Sequence, residues 1–325
     1  PLDRDHSWIA DLGLEPATWN PIASVSDCGV AAELADHFTG AGKGGASPHW
    51  YLAASNLITA LAVVERERGG DMGNLLGRLN RTALAEYAQL AAATEDQTAA
   101  DMMVGFARTP EGEGGSIAST ARTRLGLWLD PRIAAATKGG EHQLDLDRFL
   151  VEAGTLYLVA PAEDAERCRP LFSALIADLL RRATRRAREL DGVLAPRLLL
   201  ALDEAANFAR IPRLAGYASS GPGQGIQLLL SFHDLAQLDS GYGHDQARTI
   251  WNNCRARWLL PGQGDLQTLE QFSRAIGDET RVYRSEHFER RHSSSPEHRA
   301  VGRLARPDAL APTRTRPVPD PCAPP

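Results

Sequence analysis

The clearest indication of the fold is the run Arg197-Leu198-Leu199-Leu200-Ala201-Leu202-Asp203-Glu204, whose apolar residues end in two adjacent carboxylates. A short apolar run of this kind predicts a buried strand that carries acids at its C-terminal tip. Open parallel sheets bind their ligands at that edge. In nucleotide-hydrolysing folds the first acid holds the Mg²⁺ of a bound nucleotide, and the next polarises the attacking water.

A second apolar run that ends in a polar residue is Gly225-Ile226-Gln227-Leu228-Leu229-Leu230-Ser231-Phe232-His233. His233 follows Asp203 by thirty residues, an interval that suits a strand–helix–strand unit. The spacing alone leaves two interpretations open. The two polar tips form a ligand site, or they belong to core strands whose ends are simply solvated.

Three segments resemble, in the same order and spacing, motifs of the VirD4/TraG/TraD coupling proteins, the DNA-pumping ATPases of conjugation and type IV secretion. The first is Leu202-Asp203-Glu204-Ala205-Ala206-Asn207-Phe208-Ala209-Arg210-Ile211-Pro212, which resembles the Walker B segment of that family. The second joins Ser231–Leu238 to Gly241–Gly243, and the third joins Trp251–Cys254 to Trp258–Pro261. Three motifs in the family's order make the resemblance specific, and a weaker resemblance covers most of the chain.

The resemblance implies an α/β fold with a RecA-like, P-loop NTPase-type parallel sheet and an inserted all-α domain. It also implies an ATP-driven DNA translocase that recruits the relaxosome and pumps single-stranded DNA with its relaxase into the secretion channel. Family members act as homo-hexamers on the cytoplasmic side of the inner membrane. The expected partners are therefore DNA, relaxosome proteins and secretion-channel components.

The resemblance also implies roles for four residues. Asp203 is expected to hold Mg²⁺ through the nucleotide, Glu204 to activate water, and His233 to contact the γ-phosphate. Asn253 is expected in the same pocket. Two departures from the family bear on phosphate sensing and on signalling between subunits: His233 replaces the usual Gln, and Pro222 lies where members often carry Arg. Histidine also donates a hydrogen bond, but its charge depends on pH.

A phosphate loop is not apparent in the sequence. The segment Gly40-Ala41-Gly42-Lys43-Gly44-Gly45 is glycine-rich, but the loop pattern G-x-x-x-x-G-K-[ST] places Gly where His37 stands and Ser or Thr where Gly44 stands. We therefore interpret the segment as a linker. ATP and Mg²⁺ are expected cofactors of the intact protein, and this chain alone is expected to bind neither.

The absence of a recognisable phosphate loop leaves other functions open. One alternative is a recognition module that binds relaxosome proteins through its helical domain without catalysis. Another is a hexameric DNA pump of the FtsK or HerA type, although the helical insertion argues against it. Without a strand that leads into a phosphate loop, the sheet is expected to expose a backbone edge along Ile226–Phe232. An exposed edge of this kind favours self-association.

The length of 325 residues allows one or two domains. We predict an N-terminal part of the nucleotide domain over 1–70, an all-α insertion over 71–138, a RecA-like core over 139–284 and a flexible tail over 285–325. Within the insertion every periodic pattern is helical, with a break predicted at Glu111–Gly115.

The predicted core contains further elements besides the two motif strands. Apolar runs predict strands at Thr155–Ala160 and Arg257–Leu260. Helical periodicity predicts a long helix from about Glu163 to Leu190 and another over Leu266–Ile276.

The net charge of −6 argues against a surface that is basic throughout, but a basic channel requires only a local field. Some arginines of predicted helices are candidate contacts for DNA phosphates, with a solvated helix face as the alternative. These are Arg108, Arg122, Arg124, Arg181, Arg185 and Arg188.

The four cysteines are scattered without a C-x-x-C pair, which favours reduced thiols and disfavours zinc. No segment has the length and apolarity of a membrane helix or a signal peptide. Because coupling proteins normally carry N-terminal membrane helices, the sequence is expected to be the C-terminal part of a longer protein.

Overall fold

The computed structural model describes residues 16–40, 48–152, 154–161, 163–284, 287–289, 292–294 and 297–303. Side chains at position 48 and from position 278 onward are not part of the description. The chain divides into two compact units, one up to Leu230 and the other from Ser231. Each unit is described by itself.

The first unit begins with two packed helices, α1 (Cys28–Thr39) and α2 (Pro48–Glu67). Asp27 caps α1, because its side chain accepts a hydrogen bond from the Val30 N–H at 3.0 Å. The helix ends at Gly40, whose φ of 68° is the left-handed conformation typical of a glycine C-cap. Gly40 therefore ends a helix, and the rest of the glycine-rich segment, 41–45, lies outside the described residues.

The helical region predicted after residue 71 is confirmed. Its helices are α3 (Met72–Arg81), α4 (Tyr87–Ala92), α5 (Gln97–Ala107), α6 (Glu111–Arg124) and α7 (Pro131–Ala136). Helix α2 packs against α1, α5 and α6 and buries Leu57, Ile58 and Leu61 at the centre of this layer. Phe38 and Trp128 meet edge to face at 4.7 Å, which links α1 to the chain just after α6.

The break predicted at Glu111–Gly115 is wrong, because these residues form the first turns of α6. Glu111 and Glu113 lie in the first turn, where negative charge interacts favourably with the helix dipole. Gly114 packs against Leu84, and a Cβ on Gly114 would lie 2.9 Å from a Leu84 methyl carbon. Gly114 therefore allows α6 to approach Leu84 closely. The low helix propensity of glycine does not by itself predict a helix here.

The long helix predicted near Glu163 to Leu190 is confirmed as α9 (Ala165–Glu189), which follows the short α8 (Leu146–Phe149). Leu171, Leu175 and Leu179 recur at a spacing of four and are each buried. This stripe is the face expected for an amphipathic helix.

The two motif strands form a parallel sheet, β1 (Leu198–Leu202) beside β2 (Ile226–Leu230). Two short helices connect them, α10 (Ala205–Phe208) and α11 (Leu214–Ser220), so the predicted strand–helix–strand unit is confirmed. The register pairs each residue of β1 with its counterpart in β2, from Leu198↔Ile226 to Leu202↔Leu230. Both strands therefore end at the same level.

One face of this sheet is open, and no strand of the described chain pairs with the outer edge of either strand. Leu199 is 58% exposed and Leu229 is 49% exposed. Among the described residues β2 pairs only with β1, so the predicted exposed edge is confirmed for Ile226–Leu230. Parallel sheets are ordinarily covered on both faces, which makes this arrangement unusual.

The strands predicted at Thr155–Ala160 and Arg257–Leu260 are not formed. Tyr157 is 60% exposed in the first unit, and Trp258 is 77% exposed in the second. An apolar run becomes a strand only when a neighbouring strand satisfies its backbone groups. Neither run pairs with a strand of the described chain, so neither forms a strand.

The described residues of the second unit form the helices α12 (Leu235–Tyr242), α13 (His244–Asn253) and α14 (Leu266–Ile276), and the last confirms the prediction. Two antiparallel strand pairs follow: β3 (Asp278–Arg284) with β6 (Glu297–Arg303), and β4 (His287–Glu289) with β5 (His292–Ser294). These strands differ from the flexible tail predicted from residue 285. Antiparallel pairing satisfies backbone groups without requiring apolar periodicity. Residues 304–325 of that tail lie outside the described residues.

The described parts of the two units share two further properties. None of their helices combines the length and apolarity needed to cross a bilayer. They also contain no group of three or more His, Cys, Asp or Glu side chains placed to hold a metal ion.

Candidate functional site

The two acids of the Walker B-like segment lie immediately after β1. Asp203 and Glu204 are both exposed, whereas Leu202 before them and Ala205 after them are buried. The Glu204 N–H donates a hydrogen bond to Asp203 Oδ1 at 3.1 Å, which orients the Asp203 carboxylate. The structure therefore places both acids at the carboxyl edge of the parallel sheet, as predicted.

Glu204 also makes the turn from β1 into α10. Its φ of 47° and ψ of 51° are left-handed, a conformation that L-residues adopt at a cost of about 1–2 kcal/mol. Its carbonyl oxygen accepts from the Asn207 and Phe208 N–H groups at 2.8 and 3.0 Å. The Asn207 amide donates to Glu204 Oε2 at 3.2 Å. Strained residues cluster at functional sites, so this turn supports the candidate.

The short helix α10 is anchored to α9. Ala205 and Ala206 are buried, and Phe208 stacks on Phe172 of α9 at 4.6 Å. This contact holds the turn at Glu204 against a long, well-packed helix. Sequence reasoning did not identify Asn207 or Phe172 as residues that support the turn at Glu204. Asn207 follows Glu204 by three positions, a spacing that is visible in the sequence. No sequence pattern links Phe172 to this turn.

His233 lies in the second unit, at the start of the segment that leads into α12. Its backbone is held from both sides, because its N–H donates to Gln237 Oε1 at 2.8 Å and its carbonyl accepts from Gln263 Nε2 at 2.7 Å. Asp234 caps α12 by accepting from the Gln237 N–H at 2.7 Å. The His233 residue is exposed. Sequence reasoning missed Gln237 and Gln263, and Gln263 is thirty residues away.

Gln263 belongs to a network that links the starts of α12 and α14. Gln263 Oε1 accepts from the Asp265 N–H at 2.8 Å, and Asp265 caps α14. The Thr268 hydroxyl donates to Asp265 at 2.7 Å and accepts from the Leu235 N–H at 3.1 Å. Hydrogen bonds from the Thr268 side chain and then from its backbone N–H hold the pKa of Asp265 below its usual value.

Asn253, the fourth predicted site residue, is the last residue of α13. Its side-chain amide donates to the Thr249 carbonyl of the same helix at 2.9 Å. The structure thus pairs Asp203 with Glu204 in the first unit, and places His233 and Asn253 on separate elements of the second.

The predicted Mg²⁺ site was tested against the described donor groups. Mg²⁺ is usually held by one or two carboxylates together with substrate phosphates and water. The exposed carboxylates of Asp203 and Glu204 fit that donor set.

The arginines predicted to contact DNA lie in different environments. Arg181 pairs with Asp178, and Arg185 pairs with Asp147 at 2.8 Å. Arg122 donates to a backbone carbonyl at 3.2 Å. Arg124 lies over the Tyr51 ring at 4.2 Å. Arg108 and Arg188 are exposed at helix ends.

A family model described as type IV secretory system conjugative DNA transfer matches residues 15–310. The chain belongs to this family. The resemblance of its three motifs to conjugative coupling proteins is thereby confirmed.

Two curated coupling-protein relatives are conjugal transfer proteins TraG from Escherichia coli. One is 26% identical over 316 residues, covering 86% of this chain and 48% of the relative. The other is 29% identical over 180 residues, covering 53% of this chain and 28% of the relative. The chain thus spans about half the length of the first relative and less of the second.

Solved structures of the conjugative coupling protein TrwB have the same fold. The unbound form is 18% identical with a TM-score of 0.66, covering 92% of this chain and 67% of that chain. TrwB in complex with ADP and Mg²⁺ is 19% identical with a TM-score of 0.67 and the same coverage. The predicted RecA-like α/β fold is confirmed, in a mostly helical chain with a small parallel sheet.

Proposed function

We propose that this chain is part of an ATP-driven DNA translocase that recruits the relaxosome and passes single-stranded DNA with its relaxase into a secretion channel. The observation that carries the proposal is the pair Asp203–Glu204 on a left-handed turn at the carboxyl edge of a parallel sheet. The pair lies in a chain of the conjugative DNA transfer family. TrwB, which shares this fold, has been solved with ADP and Mg²⁺ and with a non-hydrolysable ATP analogue.

The proposed roles follow from the resemblance of these residues to the motifs of the coupling proteins. Asp203 holds Mg²⁺ through the nucleotide, and Glu204 accepts a proton from the attacking water. The Asn207 amide, 3.2 Å from Glu204 Oε2, positions that carboxylate. His233 contacts the γ-phosphate by hydrogen bonding, and Asn253 contributes a polar group to the same pocket.

The partners are those that DNA transfer requires. We assign to the intact protein single-stranded DNA with its relaxase, relaxosome proteins and secretion-channel components. We also assign a homo-hexameric ring on the cytoplasmic side of the inner membrane. These assignments rest on membership of the conjugative DNA transfer family.

The test is the substitution Glu204→Gln in the intact protein. It preserves size and hydrogen bonding to Asn207 but removes the base, so nucleotide binding is retained while ATP turnover falls by roughly 10²–10⁴-fold. Glu141→Gln is the matched control, because Glu141 is an exposed acid in a turn outside the site. ATP turnover that is equal in Glu204→Gln and the parent would refute the catalytic role and favour a recognition module without catalysis.

A further inference from the structure

A polar groove lies in the first unit between α2, α6 and the start of α9. Its volume is about 570 Å³, within the size range of pockets that bind small ligands. Tyr51 of α2 forms one side, Thr120 and Arg124 of α6 form the second, and Arg169 and Pro170 of α9 form the third. We call it the basic groove.

Two arginines of the basic groove are available to an anion. Arg124 is exposed and lies over the Tyr51 ring at 4.2 Å, and no ion pair joins it to a carboxylate in the described chain. Arg169 is 3.6 Å from Glu166, whose side chain is 88% exposed. Exposed ion pairs of this kind contribute little to stability, so a phosphate group readily replaces Glu166.

A third arginine, Arg167, is already neutralised. It lies 3.1 Å from Asp130 and 3.7 Å from Asp164. A hydrogen bond from Arg132 and other contacts hold the pKa of Asp130 well below its usual range, so this carboxylate stays charged. The groove therefore offers two cations, Arg124 and Arg169, on opposite walls.

The remaining lining suits nucleobases. Tyr51 is half-buried beside the buried Phe38, and Leu127 and Pro170 add apolar surface. The Thr120 and Thr123 hydroxyls each donate to a backbone carbonyl at 2.9 Å, which leaves their lone pairs as acceptors. Hydroxyl acceptors match the amino groups of bases and do not match phosphate oxygens.

We propose that the basic groove binds single-stranded DNA, with Arg124 and Arg169 on phosphates and Tyr51 beside a base. Single-strand sites in general combine cations along the backbone with aromatic rings that stack bases. A duplex does not fit this description, because its bases are already stacked and paired. The inference rests on the proposed function and deepens it by assigning a contact surface for the transported DNA.

The test uses the whole chain and a fluorescently labelled single-stranded oligonucleotide of mixed sequence, with anisotropy measured over a range of salt concentrations. The double variant Arg124→Gln/Arg169→Gln should weaken binding by at least about tenfold, because two charge-assisted contacts are lost. Since log K falls by about 0.7 per phosphate contact per unit of log salt, the slope should decrease by about 1.4. Tyr51→Leu should weaken binding without changing the slope.

Two further variants sharpen the comparison. Arg68→Gln, an exposed arginine just after the end of α2, is the matched control and should bind like the parent. Glu166→Gln should strengthen binding, because it frees Arg169 from its only carboxylate neighbour in the described chain. Circular dichroism of each variant establishes that the fold is intact.

Unchanged affinity and salt slope in the folded double variant would overturn the proposal. Complete competition by free ATP would do so too, because it would identify a mononucleotide site. This test is independent of ATP turnover. If Glu204→Gln abolishes turnover but the double variant binds DNA normally, the groove assignment fails and the proposed function stands. If Glu204→Gln leaves turnover unchanged while the double variant no longer binds DNA, the groove assignment stands and the proposed ATP-driven function fails.

Discussion

At the scale of single residues, Glu204 shows how one position serves both the backbone turn and the candidate chemistry. Its left-handed conformation costs an L-residue about 1–2 kcal/mol, and glycine would avoid most of that cost. The residue is nevertheless an acid whose oxygen accepts from Asn207 at 3.2 Å. A strained carboxylate is expected where the side chain matters more than local stability.

At position 204 a glycine variant should therefore be more stable than an alanine variant, which is the opposite of their usual order of stability in helices. We expect Glu204→Gly to be more stable than Glu204→Ala by about 1 kcal/mol, because alanine retains the strained backbone. Urea unfolding of the two variants measures the difference. At Ala236, an exposed helical position, substitution by glycine should instead destabilise by about 1 kcal/mol. A less stable Glu204→Gly than Glu204→Ala would mean that the turn is not left-handed in solution.

His233 allows a side-chain test with little change in the backbone. The hydrogen bonds from Gln263 and to Gln237 involve His233 backbone atoms, so Gln or Ala at position 233 can make them too. In the intact protein we expect His233→Gln to retain ATP turnover, because Gln also donates a hydrogen bond. His233→Ala should lose it. Steady-state ATPase rates check the prediction, and equal rates in His233→Ala and the parent would reduce His233 to a solvated strand end.

At the scale of elements, the start of α14 depends on the ionised form of Asp265. Its pKa lies below the ordinary 3.8 because Thr268 donates to it from both hydroxyl and backbone. A lowered folded-state pKa adds stability above the unfolded pKa, and this stability is lost as pH falls through the folded value. The cap therefore contributes fully at neutral pH and weakens below about pH 4.

Replacing Asp265 should lower the free energy of unfolding by an amount that depends on pH. We expect Asp265→Ala to destabilise the chain by about 1 kcal/mol at pH 7, as loss of an N-cap generally does. The difference from the parent should narrow as the pH falls below about 4, where Asp265 becomes protonated in the unfolded state and then in the folded state. Denaturant midpoints at a series of pH values measure it. A constant difference at all pH values would show that the charge of Asp265 contributes nothing.

At the scale of the whole molecule, the parallel sheet is the least complete part of the described chain. It has two strands, an open edge along β2, and exposed Leu199 and Leu229 on one face. Open edges of this kind pair with other chains. The sequence contains no recognisable phosphate loop, which is the reason for expecting weak nucleotide binding by the chain alone.

The isolated chain should therefore self-associate and show no saturable ATP binding by calorimetry. Sedimentation at increasing protein concentration should reveal oligomers, and Leu229→Lys should shift them towards monomer by placing a charge on the open face. Leu52→Lys is the matched control, because Leu52 is 56% exposed on α2, away from the sheet. A monodisperse monomer that binds ATP at micromolar concentration would contradict both parts.

Much of the local structure follows from the sequence. The long helix α9, the strands β1 and β2 and the placement of Asp203 and Glu204 after β1 were all predicted, since periodicity and apolar runs depend on near neighbours. The helical start of α6 was not predicted, because its glycines have low helix propensity. The packing of Gly114 against Leu84 is visible only in the folded chain.

Only the tertiary structure decided the features that join distant residues. The run 155–160 has the apolar composition of a strand, but a strand forms only when another one satisfies its backbone, and none does in the described chain. Phe172 supports the turn at Glu204, and Gln263 holds His233, through contacts that span more than twenty-five residues. The basic groove likewise exists only because α2, α6 and α9 pack together, and their side chains meet there without any local pattern that predicts it.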